Sequence, residues 1–296
     1  MDCGNKRVQI VDPTTGSSRG SVVLGDGYWR GLAVYPDPAL GLLLVVSDCK
    51  THTVKVLDGS GSVVKSFGLG GAGSLAGQLY NPYYVAVHQT APAVLLVSND
   101  GSRRVDVFSW ESTRHQYSIG ADRLKDPRDL SVWSWRREAF VVVANCSNHT
   151  VDIFRLSGEY VRSVGAGAVG GHEMKNPFTL CIHQPAGGRD DQTLLIVGTN
   201  SDHRLFIFNL CTGDGLYVMG GGMGSAVGQL YWPKGIVVLR SEAGETHVVV
   251  SEYNNDRLSI FCLETRSHVR TIGGAGAGAH QAQFFGPWAM AMLPGY

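Results

Sequence analysis

The chain is short of charge. Lys and Arg number 25 and Asp and Glu 25, so the formal net charge is zero, and charged residues fill 17% of the 296 positions. An ordinary protein has about 25%. The balance removes the simplest electrostatic case for a nucleic acid or an acidic surface, either of which would need a local patch. Long hydrophobic runs are missing as well. The densest, such as Leu42 to Val46, are strand-length, far below the roughly 18 residues of a membrane span. No membrane partner is expected. No Cys-x-x-Cys pair occurs among Cys3, Cys49, Cys146, Cys181, Cys211 and Cys262, which argues against a zinc knuckle or a thioredoxin-type site. These cysteines are also too sparse for a disulfide scaffold, so free thiols are expected. No apolar stretch follows the basic pair Lys6-Arg7; without a secretory signal the expected location is cytoplasmic or otherwise intracellular. Asn145-Cys146-Ser147 and Asn148-His149-Thr150 match the glycosylation sequon, which carries little weight without a secretory route. No segment sustains a helical period.

What the chain has in excess is glycine, 39 residues, or about 13% against a usual 7%. Hydrophobic residues make up 44%, enough for a core. Self-comparison explains the glycine. Six segments share a small acidic or amide residue, a short polar stretch, a His or basic residue, and an alternating apolar strand. They are Asp2 to Val11, Asp48 to Leu57, Asn99 to Phe108, Asn145 to Phe154, Thr199 to Phe208 and Glu252 to Phe261. Their starts are 46, 51, 46, 54 and 53 positions apart. An apolar run precedes every copy but the first, as in Val94 to Val97, and another short strand ending in glycine follows, as in Val63 to Gly68.

Each unit thus reads as four short strands, the innermost entered through a proline as in Pro82 to Val87. Four-stranded units of about 40–50 residues predict an all-β fold, a β-propeller with six blades of antiparallel strands. The glycines belong to turns needing positive φ and to loops between blades, at 68–77, 165–171, 220–228 and 273–278. They are not phosphate-binding loops, because none carries the Gly-Lys-Ser/Thr ending.

The unit resembles the NHL repeat. Asn148-His149-Thr150-Val151 and Asp202-His203-Arg204-Leu205 are its nearest copies of the Asn-His-Leu-like triplet, and Gly77-Gln78-Leu79 and Gly228-Gln229-Leu230 match the glycine–glutamine ending between blades. The resemblance covers the whole chain, 1–296, as one domain. It implies a six-bladed propeller whose terminal segments share a blade. Here Pro287 to Leu293 would supply that blade's first strand and the segment from Asp2 its third and fourth. The second is largely missing, which reads as a domain drawn from a longer parent protein.

In a propeller the start of each innermost strand lines the mouth of the central channel. Those positions are Arg30, Tyr83, Arg128, Phe178, Lys234 and Trp288, so basic and aromatic residues alternate. The alternation predicts a cationic, stacking-capable ligand site for an acidic or aromatic peptide, a phosphorylated tail or splayed single-stranded bases. The competing reading is a plug of large side chains. A second candidate interface is Trp133, Trp135, Arg136 and Arg137, in a turn between the first two strands of one blade.

Other polar residues read as structural. Asp48, Asp100, Asp202, Glu252 and Asp256 lie among Lys6, Arg7, Lys50, Arg103, Arg104, Arg204 and Arg257, and such acids usually close turns on local amides. His52, His149 and His203 recur at equivalent positions, which favours packing over metal ligation. No cofactor is expected and no catalytic or metal-binding residue is assigned. The leading reading is a non-catalytic scaffold that binds a protein or peptide. RNA binding, as some members of the family show, is the first alternative. A metal-dependent enzyme is the second, amidating-lyase-like or lactonase-like; Arg30, Arg128 and Lys234 would repel a calcium ion at the channel mouth.

Overall fold

The computed structural model describes residues 1–293 except 90, 186, 188, 275, 277, 279, 281 and 282. The expected loop 273–278 therefore lies partly outside the described residues. Strands β1 (Arg7–Val11) and β2 (Ser18–Val23) form a two-stranded sheet. The first four-stranded sheet holds β3 (Trp29–Asp37), β4 (Gly41–Asp48), β5 (Thr53–Leu57) and β6 (Val63–Phe67). Next come β7 (Pro82–His88), β8 (Val94–Asn99), β9 (Arg104–Ser109) and β10 (His115–Ile119), then β11 (Pro127–Trp135), β12 (Glu138–Asn145), β13 (Thr150–Arg155) and β14 (Tyr160–Val164). A small hairpin, β15 (Ala168–Val169) and β16 (His172–Glu173), precedes β17 (Pro177–His183), β18 (Leu194–Thr199), β19 (Leu205–Asn209) and β20 (Gly215–Met219). The last sheet is β21 (Pro233–Arg240), β22 (Thr246–Glu252), β23 (Arg257–Cys262) and β24 (His268–Gly273).

The architecture is thus an all-β propeller of four-stranded antiparallel blades, with neighbours in each sheet consecutive in sequence. Every expected apolar run is a second strand. β8 and the end of β12 are buried on both faces, whereas outer strands such as β6 alternate. Second strands are covered by neighbouring blades, so both of their faces can be apolar. The chain divides into two compact units, a middle unit of residues 26–164 and a terminal unit of 1–25 with 165–296. In the middle unit Val45, Val56 and Phe67 of one blade pack with Val85, Leu95 and Phe108 of the next. In the terminal unit Ile196, Leu205 and Ile207 pack in the same way with Ile236, Val248 and Phe261.

The repeat is visible in backbone angles. Lys6, His52, Arg103, His149, His203 and Asp256, one in each copy, have φ of 51, 57, 55, 59, 52 and 50°. This left-handed residue turns the chain from second to third strand, a cost that non-glycine residues meet only where the fold fixes them. The glycine after a fourth strand is also left-handed, with φ 93° at Gly68 and 92° at Gly220. No helix is long and apolar enough to cross a membrane among the described residues.

The blade count differs from expectation: five four-stranded blades form among the described residues where six were expected. β1 and β2 pair only with each other, and 287–293 forms no strand beyond one bridge between Asp2 and Pro287. Trp288 N donates to Met1 O at 2.8 Å. Among the described residues, backbone pairing along this segment is limited to that bridge, the Trp288 bond and one from Met1 N to Ala289 O.

Candidate functional site

In five of the six repeats, all but the one that opens with Thr199, the opening acid or amide is the bracket that positions the mouth residues. Asp48 Oδ1 accepts from Tyr28 N at 3.1 Å, Asn99 Oδ1 from Tyr80 N at 2.8 Å, and Asn145 Oδ1 from Lys125 N at 3.1 Å. Glu252 Oε2 accepts from Tyr231 N at 3.0 Å and Asp2 Oδ1 from Phe285 N at 2.8 Å. Each bond ties the end of a second strand to the chain entering its first strand. The acids therefore close turns, as their chemistry predicts. The histidines do likewise: His52 Nδ1 accepts from Asn81 N at 3.2 Å and His203 Nδ1 from Trp232 N at 3.1 Å.

Serines then sew adjacent innermost strands together. Ser47 Oγ accepts from Gly31 N and donates to Tyr83 O, both at 2.7 Å. A Cβ on Gly31 would stand 2.8 Å from Tyr83 O, so only glycine permits this approach. The result holds Arg30 beside Tyr83. Ser251 Oγ makes the matching bond to Trp288 O, and Gly235 the matching close approach, which hold Lys234 beside Trp288.

In the middle unit Arg30, Tyr83 and Arg128 come together, all half-buried. The guanidinium carbon of Arg128 is 4.2 Å from the Tyr83 ring centroid and that of Arg30 is 5.8 Å away. Such contacts contribute about 0.5–2 kcal/mol, more as water is excluded. Two carboxyls that the sequence did not single out as ligands complete the cluster. Arg128 reaches Asp126 Oδ1 at 2.6 Å and Asp100 Oδ2 at 3.4 Å. Burial and a hydrogen bond shared with Asp126 raise Asp100 to about 7. Burial pushes Asp126 up too, but the bonds from Asp100 and Arg128 outweigh it and hold Asp126 below the usual carboxylate range. Burial raises the neighbouring thiols, Cys49 to about 12 and Cys146 to about 11. They are poor nucleophiles at neutral pH.

In the terminal unit the equivalent trio is packed shut. Phe178, Lys234 and Trp288 are 4, 4 and 5% exposed. Lys234 Nζ lies 3.4 Å from the Phe178 centroid, 4.7 Å from Trp288 and 5.0 Å from Trp232. Phe178 meets Trp288 edge-on at 5.8 Å, and Tyr253 meets Trp288 edge-on at 5.2 Å. This half has the geometry of a plug.

The second candidate interface is a self-packed hairpin end. Trp133 is 7% exposed, stacks on Trp135 at 5.3 Å and touches Phe140 at 5.2 Å. Arg136 and Arg137 form the turn with φ 50 and 68°, and Arg136 covers the Trp135 ring at 4.4 Å.

Three arginines among the polar loops hold the glycine-rich connections. Arg104 donates to Ser74 O at 2.7 Å and Leu75 O at 3.2 Å. Arg257 donates to Ser225 O at 2.8 Å and Gln229 O at 2.9 Å, and Arg7 to Gln283 O at 3.0 Å. Within these loops Gln78 and Gln229 accept from Leu75 N and Ala226 N at 3.3 and 3.1 Å. The glycine–glutamine motif is thus a side chain folded into its own loop, and the recurring arginine was the signal for the clamp. Among the described residues no group of three His, Cys, Asp or Glu is arranged to hold a metal ion.

No protein-family model matches the chain. No curated protein matches it in sequence either. Solved structures do match in fold. A chain of the nidogen/laminin complex aligns at 11% identity over 97% of this chain and 94% of that one, with a TM-score of 0.68. BBS1N, crystallised in complex with ARL6DN, aligns at 14% identity over 92% and 73%, with a TM-score of 0.56. Virginiamycin B lyase from Staphylococcus aureus aligns at 8% identity over 82% and 69%, with a TM-score of 0.53. At these identities the likeness is one of fold, and the fold it identifies is the β-propeller.

Proposed function

We propose that the protein is a non-catalytic scaffold that binds a protein or peptide, recognising an acidic or aromatic segment through Arg30, Tyr83 and Arg128. The observation that carries this reading is the half-buried stack of two guanidinium groups on one phenol ring. It offers a flat π-face and cationic edges together, which suits a carboxylate followed by an aromatic ring. Two structural neighbours come from protein complexes, which accords with a binding role for a propeller. We also read the chain as an NHL-type propeller in which the β1–β2 sheet and the segment at Pro287 to Ala289 stand for a sixth blade. The six-fold recurrence of the left-handed turn residue supports that count.

RNA binding has less behind it. Arg7, Arg104 and Arg257 are engaged with loop carbonyls, so few of the polar-loop cations remain to follow a phosphate backbone. Affinity capture from the source cell, with and without nuclease, and with wild type against Arg30→Ala, tests the reading. A nuclease-resistant partner lost with Arg30→Ala supports it; capture abolished by nuclease favours RNA.

A further inference from the structure

Away from the mouth, the middle unit has a cavity of about 370 Å³ between two neighbouring blades, open to solvent on one side. Leu69, Ala76 and Gly77 of the glycine-rich loop after β6 form one wall; Phe108 of β9, Arg114 and His115 at the entry to β10 form the other. That volume suits one large side chain or a small ligand. The walls are fixed. Leu69 N donates to Gly77 O at 3.1 Å, and Gln78 closes the loop onto Leu75 N. Phe108 is buried and meets the His115 ring edge-on at 5.4 Å, and His115 Nε2 lies 3.0 Å from Asp106 Oδ1. A Cβ on Gly77 would stand 3.5 Å from His115 Cβ and 3.6 Å from Leu69 Cδ1, so a side chain there would occupy the space between the walls. At the entrance Leu69 is 73% exposed. Arg114 is exposed too, and its side chain has no hydrogen-bond or ion-pair partner among the described residues.

The same positions recur in the terminal unit with different chemistry. Gly228 faces His268 Cβ at 3.9 Å, and Phe261 meets the His268 ring edge-on at 5.5 Å, matching Gly77, His115 and Phe108. There Gly221 stands in place of Leu69, Val227 in place of Ala76, and Ser267 in place of Arg114. The repeat therefore accounts for the glycine and the histidine, but not for the exposed leucine, the small Ala76 or the cation.

We propose that this cavity binds the C-terminal residue of a partner protein, with its apolar side chain against Leu69, Ala76 and Phe108 and its carboxylate at Arg114. The site does not rest on the Arg30–Tyr83–Arg128 reading. An apolar pocket beside one uncommitted cation is complementary to a single negative charge carried on an apolar body. The open side leaves a path for the residues that precede the terminus. β6 and β10 are the outer strands of their sheets, and free strand edges suit an extended chain.

The experiment is an NMR titration of the isotope-labelled full chain, read at the amides of Leu69, Gly77 and His115. The probes are N-acetyl-leucine, its neutral analogue N-acetyl-leucinamide, and the tetrapeptide Ala-Ala-Ala-Leu with a free C-terminus. N-acetyl-leucine should saturate with a Kd on the order of a few millimolar, the range for a ligand of that size. The neutral analogue should bind at least about threefold more weakly, the size of one exposed charge contact. The tetrapeptide should bind at least about threefold more tightly, because its chain continues along the open side. Arg114→Ser installs the residue of the terminal unit and should remove the preference for the acid. Ala76→Val likewise copies Val227 and should weaken all three probes by filling the cavity, with unfolding midpoints unchanged in both variants. Three results would overturn the assignment: no saturable shift at these amides, a preference for the acid that survives Arg114→Ser, or a tetrapeptide that binds no more tightly than N-acetyl-leucine. The mouth is tested separately, through partner capture by Arg30→Ala.

Discussion

The middle and terminal units carry the same alternation of cation and ring at the start of their innermost strands, yet the two trios are built for different tasks. Arg30, Tyr83 and Arg128 stay half-buried beside two carboxyls, while Phe178, Lys234 and Trp288 are almost wholly covered. The difference lies in the residue that follows a second strand. After the second strands the middle unit places Asp100 against Arg128, whereas the terminal unit places Tyr253 against Trp288. A carboxylate needs water or a cation and keeps its site open; an aromatic ring closes it. On the proposed reading, residue type at these positions sets what can be recognised, and the adjoining loop sets whether anything can reach it.

The largest expected effect belongs to the closed half. Phe178→Ala removes a ring packed on Lys234 and Trp288 and should cost about 3–5 kcal/mol in denaturant unfolding. A cost below about 1 kcal/mol would mean that this half is open too. Next comes the bracket. Asn99→Ala strands the Tyr80 amide and removes the donor to Asp106 Oδ2, which accepts from Asn99 Nδ2 at 2.6 Å. About 2–3 kcal/mol of stability should go with it, read in the same unfolding experiment.

A smaller effect, of opposite sign, tests the open half. Asp100 is raised in the folded protein above its ordinary value, so it holds its proton more tightly folded than unfolded. Its stabilising share is full below the usual carboxylate range and is lost as pH rises through about 7. Asp100→Asn should therefore stabilise by about 1–2 kcal/mol at pH 8, after discounting for solvent, and by less than half as much at pH 5. Unfolding midpoints at the two pH values check this, and destabilisation at pH 8 would break the contrast between the units.

Much of the fold could be read from the chain. Five of the six segment starts, all but Asp2, are the last residues of second strands, and the left-handed residue falls at the same offset in every copy, from Lys6 to Asp256. Short-range pattern suffices there, because each blade is built from neighbouring strands. The strand expected at 287–293 did not form; the segment makes one bridge, Asp2 to Pro287, and a bond from Trp288 N to Met1 O. Trp288 falls in a segment that forms no strand, whereas the places of Arg30, Tyr83, Arg128, Phe178 and Lys234, each one residue into its blade's first strand, were legible. Their split into open and closed sets was not, because burial of Lys234 depends on Trp232 and Tyr253, which arrive from separate loops. The Asp100–Asp126 pair joins residues 26 positions apart in two blades, and neither position alone signals the other.

The most direct test of the account is the affinity of the captured partner for Arg30→Ala/Tyr83→Ala, measured by calorimetric titration alongside the unfolding midpoint. The account predicts at least a tenfold loss of affinity, as for an interface centred on an arginine–aromatic stack, with stability lowered by no more than about 2 kcal/mol. Undiminished affinity in a folded double variant would contradict it.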